Sequence, residues 1–342
     1  MIRIVASALA VLAAVAMVAT VAPGVSTAQP VVRPSSVGAT PDLSEPGPFR
    51  VTSTEPVTPC RGPGAPEQIR SVREQGARSP LLCTSAAPIG SGPDNGVDFY
   101  APDGAPGRRP LVVFVAGSGA NPGYFVRMVT HWASHGFVVA VAYNAREIAP
   151  ESVFTGIRRA LAAANDPRSP LYGRIDPSRV IFAGHSAGAT KALESASLIA
   201  SPPPQVVTDR LPLTVPPGVR VVGVLAMAPD IYTLPGPSRT PTLITTGTDD
   251  RTASPNLLRP VIVDRLTAPT WFTVARGAPH LAAVDPVADY PLTRIGLAFL
   301  EFVAGSGTYC RAFVGADPPV LADPVLAVSV RNAAARSLAC TR

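Results

Sequence analysis

R-V-I-F-A-G-H-S-A-G-A-T-K-A-L, residues Arg179 to Leu193, passes from one kind of secondary structure to another across a single serine. Val180, Ile181, Phe182 and Ala183 form a short apolar run suited to a buried strand, whereas Ala187 to Ala200 is alanine-rich and free of proline, as a helix requires. Between them lies the pattern G-x-S-x-G. A strand that turns abruptly into a helix brings its two backbones into contact, so side chains at Gly184 and Gly188 would collide, and Ser186 is forced to the apex of the turn. There it faces a helix N-terminus, whose amide dipoles favour developing negative charge.

The segments on either side share one rhythm. Strands are predicted over Gly96 to Pro102, Leu111 to Ala116, Phe137 to Ala142, Val219 to Ala226, Pro241 to Thr246 and Thr270 to Ala275. Helices are predicted over Tyr124 to His135, Glu151 to Asn165, Asn256 to Leu266 and Pro291 to Val303. Alternating strands and helices predict an α/β fold, a mostly parallel central sheet with helices on both faces and a ligand site at the carboxyl ends of the strands.

A serine hydroxyl becomes a nucleophile when an imidazole removes its proton and a carboxylate orients that imidazole. The chain has four histidines. His185 occupies the variable position of the turn and is expected to point away from Ser186. His131 and His135 lie one helical turn apart, a metal-ligand spacing, but Trp132 stands where H-E-x-x-H needs glutamate and no third ligand is evident, so no metal and no cofactor is expected. His280, in G-A-P-H just past the strand ending at Ala275, stands where the base is needed. For the acid, T-G-T-D-D follows the strand ending near Thr246; Asp250 is the first choice, Asp249 the second and Asp230 the third. Two backbone N–H groups must face the carbonyl oxygen: Ala187, directly after the serine, and Ser118, in the small-residue loop after Ala116, are the candidates for this oxyanion hole.

Met1 to Arg3 is a basic start, an apolar run follows to Val21, and Ser26-Thr27-Ala28 offers small residues at a cleavage site, so residues 1–28 read as a secretory leader, with an uncleaved membrane anchor the alternative, since the apolar run is nearly long enough to span a bilayer. Export permits disulfides. Of the three pairings open to four cysteines, the sequence-local one joins Cys60 to Cys83 and Cys310 to Cys340, and is the expectation here. Residues 29–66, dense in Pro, Ser, Thr and Gly, read as a linker or arm, 67–307 as the principal domain and 308–342 as a disulfide-stapled C-terminal extension. The net charge of +6 comes from scattered arginines, Lys191 being the only lysine, so nucleic-acid binding has no support and an integral membrane segment is not expected after the leader is cleaved.

Three stretches give the chain a wider likeness: A-S-H-G-F-V-V (Ala133 to Val139), S-P-L-Y-G-R-I-D-P-S-R (Ser169 to Arg179) leading into G-H-S-A-G, and P-T-L-I-T-T-G-T-D-D together with G-A-P-H. Over about Gly96 to Val303 the chain resembles the α/β-hydrolase superfamily, and within it the secreted cutinase-like polyester hydrolases and lipases of actinobacteria. The resemblance implies ester hydrolysis through an acyl-enzyme, with Ser186, Asp250 and His280 at the triad positions, and a disulfide near the C-terminus. Those polyester hydrolases have an aromatic residue where Ser118 stands, a methionine where Ala187 stands and a tryptophan near Asp230; the implied substrate narrows to smaller or lipid-like carboxylic esters. The expectation is a secreted monomeric serine esterase. Its alternatives are an envelope acyltransferase with the same three residues and a non-catalytic binding protein on the same fold.

Overall fold

The computed structural model describes residues 43–340 except 88, 146–148, 206–210, 212 and 233–235. The expected leader over residues 1–28 and the arm over 29–42 lie outside the described residues. Among the described residues the strands are β1 (Val51–Ser53), β2 (Thr58–Pro59), β3 (Leu82–Cys83), β4 (Asn95–Pro102), β5 (Arg109–Val115), β6 (Val138–Asn144), β7 (Ile175–His185), β8 (Val221–Met227), β9 (Thr242–Gly247), β10 (Thr270–Ala275) and β11 (Leu326–Arg331). The α-helices are α1 (Ala65–Glu74), α2 (Val126–Ser134), α3 (Glu151–Asn165), α4 (Ala187–Ala200), α5 (Pro255–Val261), α6 (Leu292–Val303), α7 (Gly307–Phe313) and α8 (Ala333–Arg336).

Among the described residues one nine-stranded sheet runs β1-β4-β6-β5-β7-β8-β9-β10-β11. Its six central strands, β6, β5, β7, β8, β9 and β10, are mutually parallel, and β1, β4 and β11 are antiparallel at the edges. The central strands read as unbroken apolar runs because both faces are covered. On β5, Val112 and Phe114 enter one core while Leu111, Val113 and Val115 enter the other, all fully buried; on β7, Ile181 and Ala183 divide from Val180 and Phe182 in the same way. The first core is closed by α1, α2, α6 and α7, the second by α3, α4 and α5. In the first, Phe114 meets the rings of Phe125 and Trp132 edge-on at 5.0 and 5.9 Å, pairs worth about 1 kcal/mol each beyond their burial.

The strand order places the site. β5 and β7 are neighbours, yet the helix after β5 packs on one face and the helix after β7 on the other. Such a switch of helix side between neighbouring strands is where open α/β sheets carry their ligand sites, at the carboxyl ends of the strands.

Both disulfides join sequence neighbours, Cys60 to Cys83 with Cα atoms 4.9 Å apart and Cys310 to Cys340 with Cα atoms 5.8 Å apart. Closing loops of 23 and 30 residues is worth about 3–4 kcal/mol each by loss of unfolded-chain entropy.

The two ends of the described chain depart from the sequence reading. The segment read as an extension from residue 308 joins the sheet: β11 pairs with β10 from Trp271 opposite Arg331 to Ala275 opposite Leu326. Val328 and Val330 pack against the second core, and Phe313 lies 5.8 Å from the Trp271 ring, whose indole N–H donates to the Phe313 carbonyl at 3.0 Å. The alternation L-A-V-S-V-R was the overlooked signal, since apolar residues at every second position suit an edge strand facing a core on one side. The arm read over 29–66 likewise contributes β1, paired with β4 from Val51 opposite Pro102 to Ser53 opposite Tyr100.

Candidate active site

β7 ends at His185 and α4 begins at Ala187, so the whole strand-to-helix turn is Ser186, with φ 56° and ψ −127°. A side chain in this region costs about 1–3 kcal/mol and persists only where its surroundings impose it. They do so here: the Ser186 N–H donates to the Met227 carbonyl at 2.9 Å, and its own carbonyl accepts from Ala189 and Thr190 at 2.9 and 3.1 Å. Gly184 and Gly188 make the turn possible. A Cβ on Gly184 would strike the Gly188 carbonyl, and one on Gly188 would strike the Val115 carbonyl of β5. Gly188→Ala must push α4 off the sheet, and is expected to lower stability by about 3 kcal/mol; a thermal or urea unfolding midpoint equal to wild type would contradict this.

His280 lies in the loop after β10 and is 6% exposed. Its Nε2 is 3.1 Å from the Ser186 Oγ, and its Nδ1 is 2.9 and 3.1 Å from the two Asp250 carboxylate oxygens. With the proton on Nδ1 donated to Asp250, Nε2 is left to accept from the serine hydroxyl. Asp250 is 3% exposed. Its Oδ1 accepts the Thr252 and Ala253 amides at 2.9 and 2.6 Å, and its Oδ2 accepts the Thr246 hydroxyl at 3.3 Å. Burial works against its charge, but the hydrogen bond and charge of His280 and the Ala253 amide outweigh burial and hold the carboxyl below the usual carboxylate range.

The structure also separates the three acids considered. Asp249, one residue before Asp250, is exposed and accepts from the Thr248 hydroxyl at 3.0 Å. Asp230 closes a turn by accepting the Tyr232 amide at 2.9 Å. The loops carrying Asp250 and His280 are sewn together, with Gly277 N–H donating to Thr248 Oγ1 at 2.7 Å and Asp249 N–H to the Ala278 carbonyl at 3.2 Å.

Ala187 opens α4 directly after the serine, and Ser118 lies exposed in a turn closed by the Ala120 N–H donating to the Gly117 carbonyl at 3.1 Å. A Cβ on Gly117 would stand 3.2 Å from the Ser186 Cβ, so this loop passes directly against the serine. The two candidate oxyanion donors therefore belong to segments that flank Ser186.

His185 packs behind the base. Its Nε2 is 2.8 Å from the His280 carbonyl, to which it donates, and its ring lies 4.8 Å from the His280 ring and 5.3 Å from that of Phe125. It backs the residue that faces the serine. Burial, then repulsion from His280, pushes the His185 imidazole down to about 3. In the unfolded chain it takes up a proton near pH 6.5 that the native state refuses until about 3. Its contribution to stability is therefore complete above pH 6.5 and is lost progressively as the pH falls toward 3. His185→Gln keeps a donor but does not titrate; its urea midpoint is expected to fall less than that of wild type between about pH 7 and about pH 4. Parallel declines would remove His185 as a source of the acid sensitivity.

His131 and His135 hold the N-terminal arm: their Nε2 atoms are 2.7 Å from the Leu43 carbonyl and 3.1 Å from the Glu45 carbonyl. Among the described residues no group of three or more His, Cys, Asp or Glu side chains could hold a metal ion. No protein-family model matches the chain, and no curated protein matches it.

Proposed function

We propose that the protein is a serine carboxylic-ester hydrolase of the α/β-hydrolase fold. The observation that carries this reading is the unbroken chain from a buried, negatively charged Asp250 through His280 to the hydroxyl of a half-buried Ser186 held at positive φ. A strained serine at the apex of a strand-to-helix turn, with a base at 3.1 Å and an acid behind that base, has the geometry that nucleophilic acyl transfer demands.

In this mechanism the Ser186 Oγ attacks the ester carbonyl carbon and gives its proton to His280 Nε2. Asp250 stabilises the resulting imidazolium and keeps the ring in register. The carbonyl oxygen becomes an oxyanion between the Ala187 and Ser118 N–H groups, at the N-terminus of α4. Collapse of the intermediate breaks the C–O bond, the alcohol leaves with the proton from His280, and an acyl-enzyme remains. Water then gives a proton to His280, attacks the acyl carbon and releases the acid, returning Ser186 to its hydroxyl form.

The two disulfides suit an oxidising, extracellular location. Among the described residues no helix is long and apolar enough to cross a membrane. The decisive experiment uses a series of p-nitrophenyl esters together with a fluorophosphonate probe. The expected result is turnover by wild type and probe attachment at Ser186; wild type that neither turns over esters nor takes up the probe would overturn the reading. Product analysis with added alcohols separates hydrolysis from acyl transfer.

A further inference from the structure

We propose that Asp285 is a positioning residue for His280, and that it acts through the loop closed by the Cys60–Cys83 disulfide, which with the residues just after it holds both the segment carrying His280 and the one that follows Ser118. This inference rests on the serine-hydrolase reading above.

The disulfide encloses α1 and the strand-like stretch that leads to Cys83. On one side this closed loop grips the segment that carries His280. The Leu281 N–H, next to His280, donates to the Gln75 carbonyl at 3.1 Å. Asp285, 7% exposed, holds two amides of the loop: its Oδ1 accepts the Arg78 N–H at 2.9 Å and the Ser79 N–H at 2.8 Å, and its Oδ2 shares the Arg78 N–H at 3.3 Å. Arg127 of α2 ties the same two segments, donating to the Val284 and Pro80 carbonyls at 3.0 Å each. Gly76 turns at φ +99° with no room for a side chain, because a Cβ there would strike Pro279.

On the other side the residues that leave the closed loop, from Cys83 to Ala86, grip the segment that follows Ser118. Asn121, fully buried, accepts the Thr84 amide at 2.9 Å and donates to the Ala86 carbonyl at 2.9 Å, just past Cys83. The same Asn121 oxygen accepts the Gly123 N–H at 2.9 Å, and a Cβ on Gly123 would run into the Cys83 backbone. The closed loop and the three residues that follow it, remote in sequence from Ser186, therefore tie the segment carrying His280 to the loop that follows Ser118. The Cys310–Cys340 disulfide closes a loop of similar length but joins α7 to the end of the described chain, so it supplies an internal control.

The test compares wild type with Asp285→Ala, Asp285→Asn, Cys60→Ala/Cys83→Ala and Cys310→Ala/Cys340→Ala, each assayed below its own unfolding transition. Displacing a reacting group by about 1 Å loses about 10²-fold in rate, so Asp285→Ala is expected to lower kcat and the rate of fluorophosphonate labelling by about that factor, with KM nearly constant. Asp285→Asn retains an oxygen at the Oδ1 position and should recover most of the rate. The Cys60/Cys83 variant should lose kcat in step with Asp285→Ala, whereas the Cys310/Cys340 variant should lose unfolding temperature and keep kcat. A readout independent of turnover is the downfield proton resonance of the His280 Nδ1–H bound to Asp250, expected to persist in Asp285→Asn and to broaden in Asp285→Ala. Asp285→Ala with wild-type labelling and an unchanged resonance would overturn the proposal. If wild type itself takes no label, the hydrolase reading fails, and the resonance still decides whether Asp285 positions His280.

Discussion

Ser186→Ala is expected to abolish ester hydrolysis, with kcat falling by about 10⁴–10⁶-fold and fluorophosphonate labelling lost altogether. The size of the effect follows from the chain of hydrogen bonds. In the proposed mechanism His280 and Asp250 act on the Ser186 Oγ, and without that oxygen no acyl-enzyme forms. What remains is binding and oxyanion stabilisation, whose contribution over water is about 10³–10⁴-fold in serine proteases that lack a triad member. The fold should survive, since alanine fills the same space at φ 56°. Ser186→Gly makes the complementary point: glycine adopts this conformation without strain, so its unfolding temperature should exceed that of Ser186→Ala while its activity is equally absent. Near-wild-type hydrolysis by either variant would mean that the chemistry lies elsewhere in the molecule.

Asp250→Asn is expected to lower kcat by about 10⁴-fold with little change in overall structure. The hydrogen bonds dictate how the asparagine must sit. Oδ1 of Asp250 receives the Thr252 and Ala253 amides at 2.9 and 2.6 Å, so the carboxamide oxygen stays there and its NH₂ is left facing His280 Nδ1. A donor in that place forces the histidine proton onto Nε2, where it meets the Ser186 hydroxyl and cannot act as a base. The substitution also changes behaviour in acid. The native carboxyl titrates below its unfolded value near 3.8. The native state therefore gains stability above that pH and loses it as the pH falls through the depressed value. Asp250→Asn lacks this dependence, so the gap in urea midpoint between the two proteins should narrow on acidification. Retention of high activity by Asp250→Asn would transfer the acid's role to another residue, with Asp249 the first to test.

How much of this was legible before the structure differs from residue to residue. The turn around Ser186 was readable because the constraint is local: a strand, a helix and two glycines within five positions leave the backbone one way through. The central strands and α3, Glu151–Asn165, were readable for the same reason, since each depends on the periodicity of its own side chains. His280 followed from its place just beyond a recognisable strand. The choice between Asp250 and Asp249 was weaker, because adjacent residues on a loop point in different directions and only the packed turn with Thr252 and Ala253 says which faces inward.

The chain by itself determined the layered α/β architecture and the serine at the turn, both of which arise from short-range rules of periodicity and sterics along the backbone. Only the tertiary structure decided what His185 leans on, that residues beyond 307 complete the sheet with β11, and that Asp285 holds amides 206 and 207 positions away. The physical reason is that a hydrogen bond between distant segments depends on where the whole packed core brings them. No local pattern of residues specifies that meeting point.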